Sequence, residues 1–153
     1  MPVHSAGILL FRYRDDGLQV LLVHPGGPFW ARKDQGAWSI PKGEFIEGEH
    51  PLSAARREFT EETNVDVDGA FIDLGALRQP SGKVVHAWAV EQDLDADAIE
   101  SNRFEMEWPR GSGVLRSYPE VDKAGWFPIG MAREKILKGQ AGFLDRLLAI
   151  LGD

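Results

Sequence analysis

Branched apolar residues crowd the start of the chain in two runs, VHSAGILLFRY from Val3 to Tyr13 and LQVLLVH from Leu18 to His24. Asp15, Asp16 and Gly17 between them are a turn signal, so the pattern predicts a β-hairpin. Within the first run Ser5, Ala6 and Gly7 are small enough to let another segment approach closely. A second pair of runs, FIDLGALRQ (Phe71 to Gln79) and KVVHAWAVE (Lys83 to Glu91), joins across Pro80-Ser81-Gly82 and predicts a second hairpin. In its later strand Val84, His86, Trp88 and Val90 alternate with Val85, Ala87 and Ala89, so both faces are largely apolar, as in a sheet covered on both sides. Between the hairpins, PLSAARREFTEETN has helical spacing. Pro51 suits a first turn, Leu52, Ala55 and Phe59 form a stripe, and Asn64 can end the helix in a left-handed conformation.

Later segments carry weaker patterns. Asp93 to Glu100 is an acidic loop or short turn, and Ser101 to Pro119 resists assignment because Pro109, Gly111 and Gly113 interrupt it. Glu120 to Phe127 predicts a short strand ending in two aromatics. From Ile129 to Leu151, the residues Ile136, Phe143, Leu144, Leu147, Leu148 and Leu151 recur at helical spacing, with Gly139 and Gly142 dividing a short helix from a longer one. This tail reads as core and is assigned no chemistry. The order of hairpin, strand, helix, strands and helix predicts an α/β/α sandwich around a mixed β-sheet.

Composition narrows the class. A chain of 153 residues and 17.0 kDa is expected to form one domain over residues 1–153. Cysteine is absent, which excludes disulfides and thiolate metal sites, and no apolar run is long enough to cross a bilayer. Met1 to Ala6 lacks the basic start and apolar core of a signal peptide, so a cytoplasmic location is expected. A net charge of −7 opposes general binding to nucleic acid or an anionic membrane. It does not oppose a small nucleotide carrying its own metal.

The strongest candidate chemistry lies on the first predicted helix. Glu58, Glu61 and Glu62 stand at i, i+3 and i+4, so three carboxylates crowd one face and repel one another. Arg56 and Arg57 offset part of this charge, while Glu47 and Glu49 add to it from the preceding loop. An all-oxygen donor set without Cys or a nearby His suits a hard cation, Mg²⁺ or Mn²⁺, that would also bind substrate phosphates. On these residues alone a solvated acidic helix face explains the charges as well.

The frame around the glutamates decides between these. Gly43, five residues, Glu49, seven residues, Arg57-Glu58, apolar Phe59, one residue, Glu61-Glu62, one residue and Asn64-Val65 closely resembles the Nudix box. The family pattern has Gly where this chain has Asn64, a mild departure because Asn is the next most frequent left-handed helix terminator. The resemblance implies the Nudix fold and metal-dependent hydrolysis of a phosphoanhydride. It implies Glu58 and Glu62 as the most direct metal ligands, Glu61 directly or through water, the Gly43 carbonyl as a further ligand, and a Glu49–Arg57 pair that orients the helix. Glu120, six residues before Trp126, holds the offset of a Glu that in the asymmetric diadenosine tetraphosphate hydrolase branch reaches the metals or acts as base. Glu105 and Glu107 stand in reserve for that role, and the base would be Glu120 or one of the helix glutamates.

Substrate contacts are sought in the loops. Pro25 to Ala37 carries Phe29, Trp30, Arg32 and Lys33 among Pro and Gly, which suits stacking on a base and gripping phosphates, or a lid on the core. Lys42 would meet a phosphate or pair with a neighbouring Glu. His86 reads as hydrogen-bonded core or pocket lining, and Tyr118, with Arg103, Arg110 and Arg116, lies in a segment that could close over a ligand. Overall order, the SAGILLFR strand, the WSIPKGE entry and the Glu120 to Trp126 offset most resemble dinucleoside polyphosphate hydrolases, for which diadenosine tetraphosphate would give ATP and AMP. Nucleoside triphosphates, NADH, nucleotide sugars and capped RNA are the alternatives, as is a nucleotide-binding sensor without catalysis. Retention of Glu49, Glu58, Glu61 and Glu62 favours the enzyme. The expected partner is a small nucleotide, with no membrane contact, and a homodimer is left open.

Overall fold

The computed structural model describes residues 3–152. Met1, Pro2 and Asp153, which belong to the expected 1–153 span and in part to the reading of the chain start, lie outside the described residues. The first hairpin forms as expected from β1 (His4–Arg14) and β2 (Gly17–Pro25), closed with Arg14 opposite Gly17, whose φ of 113° a side chain would resist. Only the far halves of these strands pair. The near half of β1 pairs instead with β3 (Lys42–Glu44), Gly7 opposite Lys42, while Val23 of β2 bridges to Ser39. Residues 39–44 are thus wedged between β1 and β2. Gly7 permits the wedge, since a Cβ there would lie 2.7 Å from the Pro41 carbonyl oxygen.

The second hairpin supplies β4 (Ile72–Arg78) and β5 (Val84–Glu91), and β5 runs parallel to β1. A separate antiparallel pair, β6 (Arg103–Glu107) and β7 (Leu115–Pro119), precedes β8 (Val121–Pro128). The main sheet runs β4-β5-β1-β2-β8 with β3 beside β1, a mixed sheet. Alternate residues divide between two cores. Ala6, Ile8, Leu10, Leu21, Trp88 and Val90 meet Ala54, Ala55 and Phe59 of α1 (Pro51–Thr63) on one face. Leu9, Phe11, Val20, Leu22, Val85, Ala87 and Ala89 meet α2 (Ile129–Lys135) and α3 (Ala141–Leu151) on the other. Each large apolar side chain so buried stabilises by roughly 1.5–3 kcal/mol. This is the expected α/β/α sandwich.

Two expectations are corrected. Ser101 to Pro119 is not irregular: Pro109, Gly111 and Gly113 are confined to the connection between β6 and β7, leaving regular strands on either side. The tail divides at residues 136–140, with a 3₁₀ turn at Lys138–Gln140, and Gly142 lies inside α3 rather than breaking it. A Cβ at Gly142 would stand 3.0 Å from Leu77, so the glycine there serves close packing of the helix on the sheet.

Candidate active site

The helix α1 is fixed at both ends. His50 caps its start, its Nδ1 accepting from the Leu52 N–H at 3.3 Å, and Pro51 occupies the first turn, where an N–H has no helical partner. At its end Asn64 takes the left-handed conformation, φ 60° and ψ 28°, and donates its N–H to the Thr60 carbonyl at 2.7 Å. Two carbonyls of the last turn are also satisfied: Glu61 accepts from the Asn102 N–H at 2.8 Å and Thr63 from the Glu100 N–H at 3.1 Å. Asn102 in turn accepts from the Glu120 N–H at 2.8 Å, and the Glu120 carbonyl accepts from the Gly26 N–H at 2.9 Å. A backbone ladder therefore ties Glu120 to the acidic helix.

Arg57 organises the carboxylates. Its Nε and Nη2 donate to the two oxygens of Glu49 at 3.1 and 3.2 Å, and Nη1 donates to Glu58 at 2.8 Å and Glu61 at 3.3 Å. The fork to Glu49 and the bond to Glu58 hold the guanidinium still more firmly protonated than usual, against some burial. The Glu58 carboxyl lies over Gly43, where a Cβ would be 2.0 Å from its Cδ. Burial, then the charge of Glu61, raises the Glu58 pKa. Burial also pushes Glu62 up to about 8, opposed by the Lys42 ammonium and by a hydrogen bond from the Lys42 backbone N–H. Lys42 itself is lowered by burial, with Glu62 acting in the opposite sense. Glu120 is raised by burial and by Glu61.

Four carboxylates, Glu58, Glu61, Glu62 and Glu120, therefore stand close enough to disturb one another, and the structure brings Glu120 to the helix glutamates. Among the described residues no three His, Asp or Glu side chains are already gathered as an ion cage. The donor set nevertheless fits a hard divalent cation: every group is an oxygen donor, burial raises the pKa of both Glu58 and Glu62, a cost that a bound cation would offset, and the side chain missing at Gly43 lets the Glu58 carboxyl approach the backbone.

Two cavities adjoin these residues. The first, about 210 Å³, lies between the end of β2 and the wedge and is lined by Trp30, Ile40, Lys42, Glu62, Glu120 and Leu137 among others. The second, about 430 Å³, lies between the loop after β2 and the β6–β7 hairpin, lined by Pro25, Phe29, Trp30, Phe104, Met106 and Glu120 with Gly26 and Gly27. Trp30 and Glu120 border both.

Other residues expected to touch substrate stand elsewhere. Arg32 is exposed on the loop and lines neither cavity. Lys33 also lines neither, its ammonium lying 3.7 Å over the Phe29 ring. His86 is engaged by Asp73, 2.7 Å from its Nε2, and stacked on Trp88 with centroids 4.1 Å apart. Tyr118 faces Phe104 at 6.0 Å. Neither borders either cavity. Glu107 accepts from the Gly111 N–H within its own turn, and Glu105 is exposed. Phe104 and Met106 were missed because their segment read as irregular, although RFEME already alternates apolar with charged residues. Gln140 was missed because it lies in the tail assigned to packing. Its buried amide accepts from the Ile40 N–H at 3.0 Å and donates to Ser39 Oγ at 3.0 Å, fixing the wedge.

Comparison with known proteins adds the following. The family model of the NUDIX domain matches residues 1–147. Nudix hydrolase 5 of Arabidopsis thaliana is 27% identical over 127 residues, which cover 82% of this chain and 37% of that protein. The chain spans about a third of the length of the curated relatives it matches. An Ap4A hydrolase of C. elegans, in a binary complex, superposes with a TM-score of 0.69 at 20% identity, covering 98% of both chains. The NUDIX domain of Shewanella oneidensis NrtR, complexed with ADP ribose, gives a TM-score of 0.67 at 20% identity over 99% of this chain and 89% of that one. At these identities the two structures establish the fold.

Proposed function

The chain belongs to the Nudix family, and from that membership we propose that it is a divalent-metal-dependent hydrolase of a nucleoside diphosphate linked to another moiety, with a dinucleoside polyphosphate as substrate. The observation that carries this reading is the convergence of Glu58, Glu61, Glu62 and Glu120 beside cavities bordered by Trp30. Glu58 and Glu62 would hold Mg²⁺ or Mn²⁺ most directly, with Glu61, Glu120 and the Gly43 carbonyl completing the set. When bound, such ions neutralise the phosphate oxygens and lower the pKa of water.

The chain's own residues supply the rest. Arg57 locks Glu49 to the helix and keeps Glu58 and Glu61 from swinging apart. Lys42 places a cation at the first cavity, where a polyphosphate would cross. Trp30 offers a ring face on which a base stacks. Glu120, its basicity raised by burial, would take the proton of the attacking water where it does not serve as a ligand; a helix glutamate is the other candidate for the base. Water oxygen forms the new bond to phosphorus, the anhydride P–O bond breaks, and the leaving phosphate carries away the electron pair, giving ATP and AMP from diadenosine tetraphosphate. A cytoplasmic location is part of the proposal, consistent with a chain that has no cysteine.

A panel of dinucleoside polyphosphates, nucleoside triphosphates, NADH, nucleotide sugars and capped RNA, with products resolved by chromatography, tests the substrate. Release of ATP and AMP from diadenosine tetraphosphate should outpace every other cleavage; a faster alternative moves the substrate and keeps the reaction. Glu62→Gln is expected to abolish metal-dependent turnover with the fold intact, and near-normal activity in that variant would sink the assignment. A sensor that binds a nucleotide without cleaving it is the second reading; a NUDIX domain of similar fold, that of NrtR, is complexed with ADP ribose. Metal-dependent nucleotide binding with no product on any substrate would decide for it.

A further inference from the structure

The second cavity is unassigned by the reading above, yet it shares Pro25, Trp30 and Glu120 with the first. A single molecule can therefore occupy both, crossing at Glu120. The first, about 210 Å³, is too small for a whole dinucleotide, while the second adds about 430 Å³, within the range of small-molecule sites. Its walls are the rings of Phe29, Trp30 and Phe104 and the adaptable thioether of Met106, and its one charged side chain is Glu120. Such a lining suits a flat neutral ring and disfavours a phosphate.

The hairpin wall is held at a set distance from the carboxylates. A Cβ on Gly26 would stand 1.9 Å from the Pro119 carbonyl oxygen and one on Gly27 would stand 3.0 Å from the Phe104 ring, so the two glycines let the loop after β2 close on β6 and β7. The backbone of Glu120, between β7 and β8, bonds to Gly26 on one side and Asn102 on the other. The residue at the chemical centre and the apolar wall are thus tied together through the backbone.

We propose that the second cavity is the subsite for the second heteroaromatic ring of a two-base substrate, with Trp30 as the wall between the two rings and Phe104 and Met106 as specificity-determining residues. This rests on the hydrolase reading and assigns the residues that would hold the second ring of its dinucleoside polyphosphate.

The test compares diadenosine tetraphosphate with ATP, which has one base, on the full chain with Mg²⁺. Phe104→Ala and, should that disturb the hairpin, Met106→Ala are expected to raise KM for the dinucleotide about tenfold, the size of one lost base–aromatic contact, with kcat and the ATP parameters little changed. Equal effects on both substrates, or none, would overturn the proposal. Binding separates its failure from that of the hydrolase reading. With ¹³C-methyl methionine, assigned through Met106→Ala, saturation with diadenosine tetraphosphate in chelator should shift the Met106 methyl signal more than saturation with ATP does, and Trp30→Ala should weaken that response. An unmoved methyl removes the subsite whatever the turnover; a shifted methyl with no hydrolysis of any phosphoanhydride keeps the subsite and removes the hydrolase.

Discussion

At Glu62, burial opposes charge and a single lysine defends it. Its carboxyl moves from the ordinary 4.5 to about 8 in the folded chain, so the folded state keeps a proton that the unfolded state has already released at neutral pH. For an acid raised on folding, the stabilisation is full below the unfolded pKa and is lost as pH rises toward the folded one. The metal-free protein should therefore lose stability between about pH 5 and 8, and Glu62→Gln should remove that part of the slope. Thermal melts in chelator across this range check it; parallel slopes for the two proteins would contradict it. A divalent cation favours the carboxylate, so adding Mg²⁺ should flatten the wild-type profile as well. Arg57 shows the same logic from the cationic side, since one guanidinium reaches three carboxylates that sequence spacing alone brings only into each other's neighbourhood.

At the scale of the element, α1 is the most legible part of the chain. Its proline, its apolar stripe and its terminator all appear in the sequence, and the structure uses each as written, adding a cap from His50. The departure from the family pattern at Asn64 has a physical consequence that can be measured. Because Asn already tolerates the left-handed region, Asn64→Gly should change stability by no more than about 0.5 kcal/mol and leave turnover intact, while Asn64→Val should cost about 1–2 kcal/mol. Urea denaturation distinguishes them, and a large gain from glycine would show that the native conformation is strained. The β6–β7 hairpin was illegible for a local reason: its strands have five residues each, and the Pro and Gly of a long connection dominate the composition of the segment.

Across the whole molecule, the site exists because β1 and β2 part company halfway and residues 39–44 enter the gap. Gln140, a hundred residues further along the chain, holds that wedge through Ile40 and Ser39. Gln140→Leu keeps the volume but strands the Ile40 N–H, and should cost about 1–3 kcal/mol in urea melts; an unchanged midpoint would show that the anchor is dispensable. By itself the sequence determined the two-sided sheet, the acidic helix, its family frame and the composition of the candidate metal set. These depend on periodicity and short-range spacing, which the chain carries locally. Tertiary structure alone decided that Glu120 reaches the helix through Asn102, that His86 and Tyr118 are claimed by Asp73 and Phe104, and that Trp30 borders two cavities. Those outcomes turn on which distant backbones approach one another, and that follows from packing the sheet against both helical layers together rather than from any stretch of residues read alone.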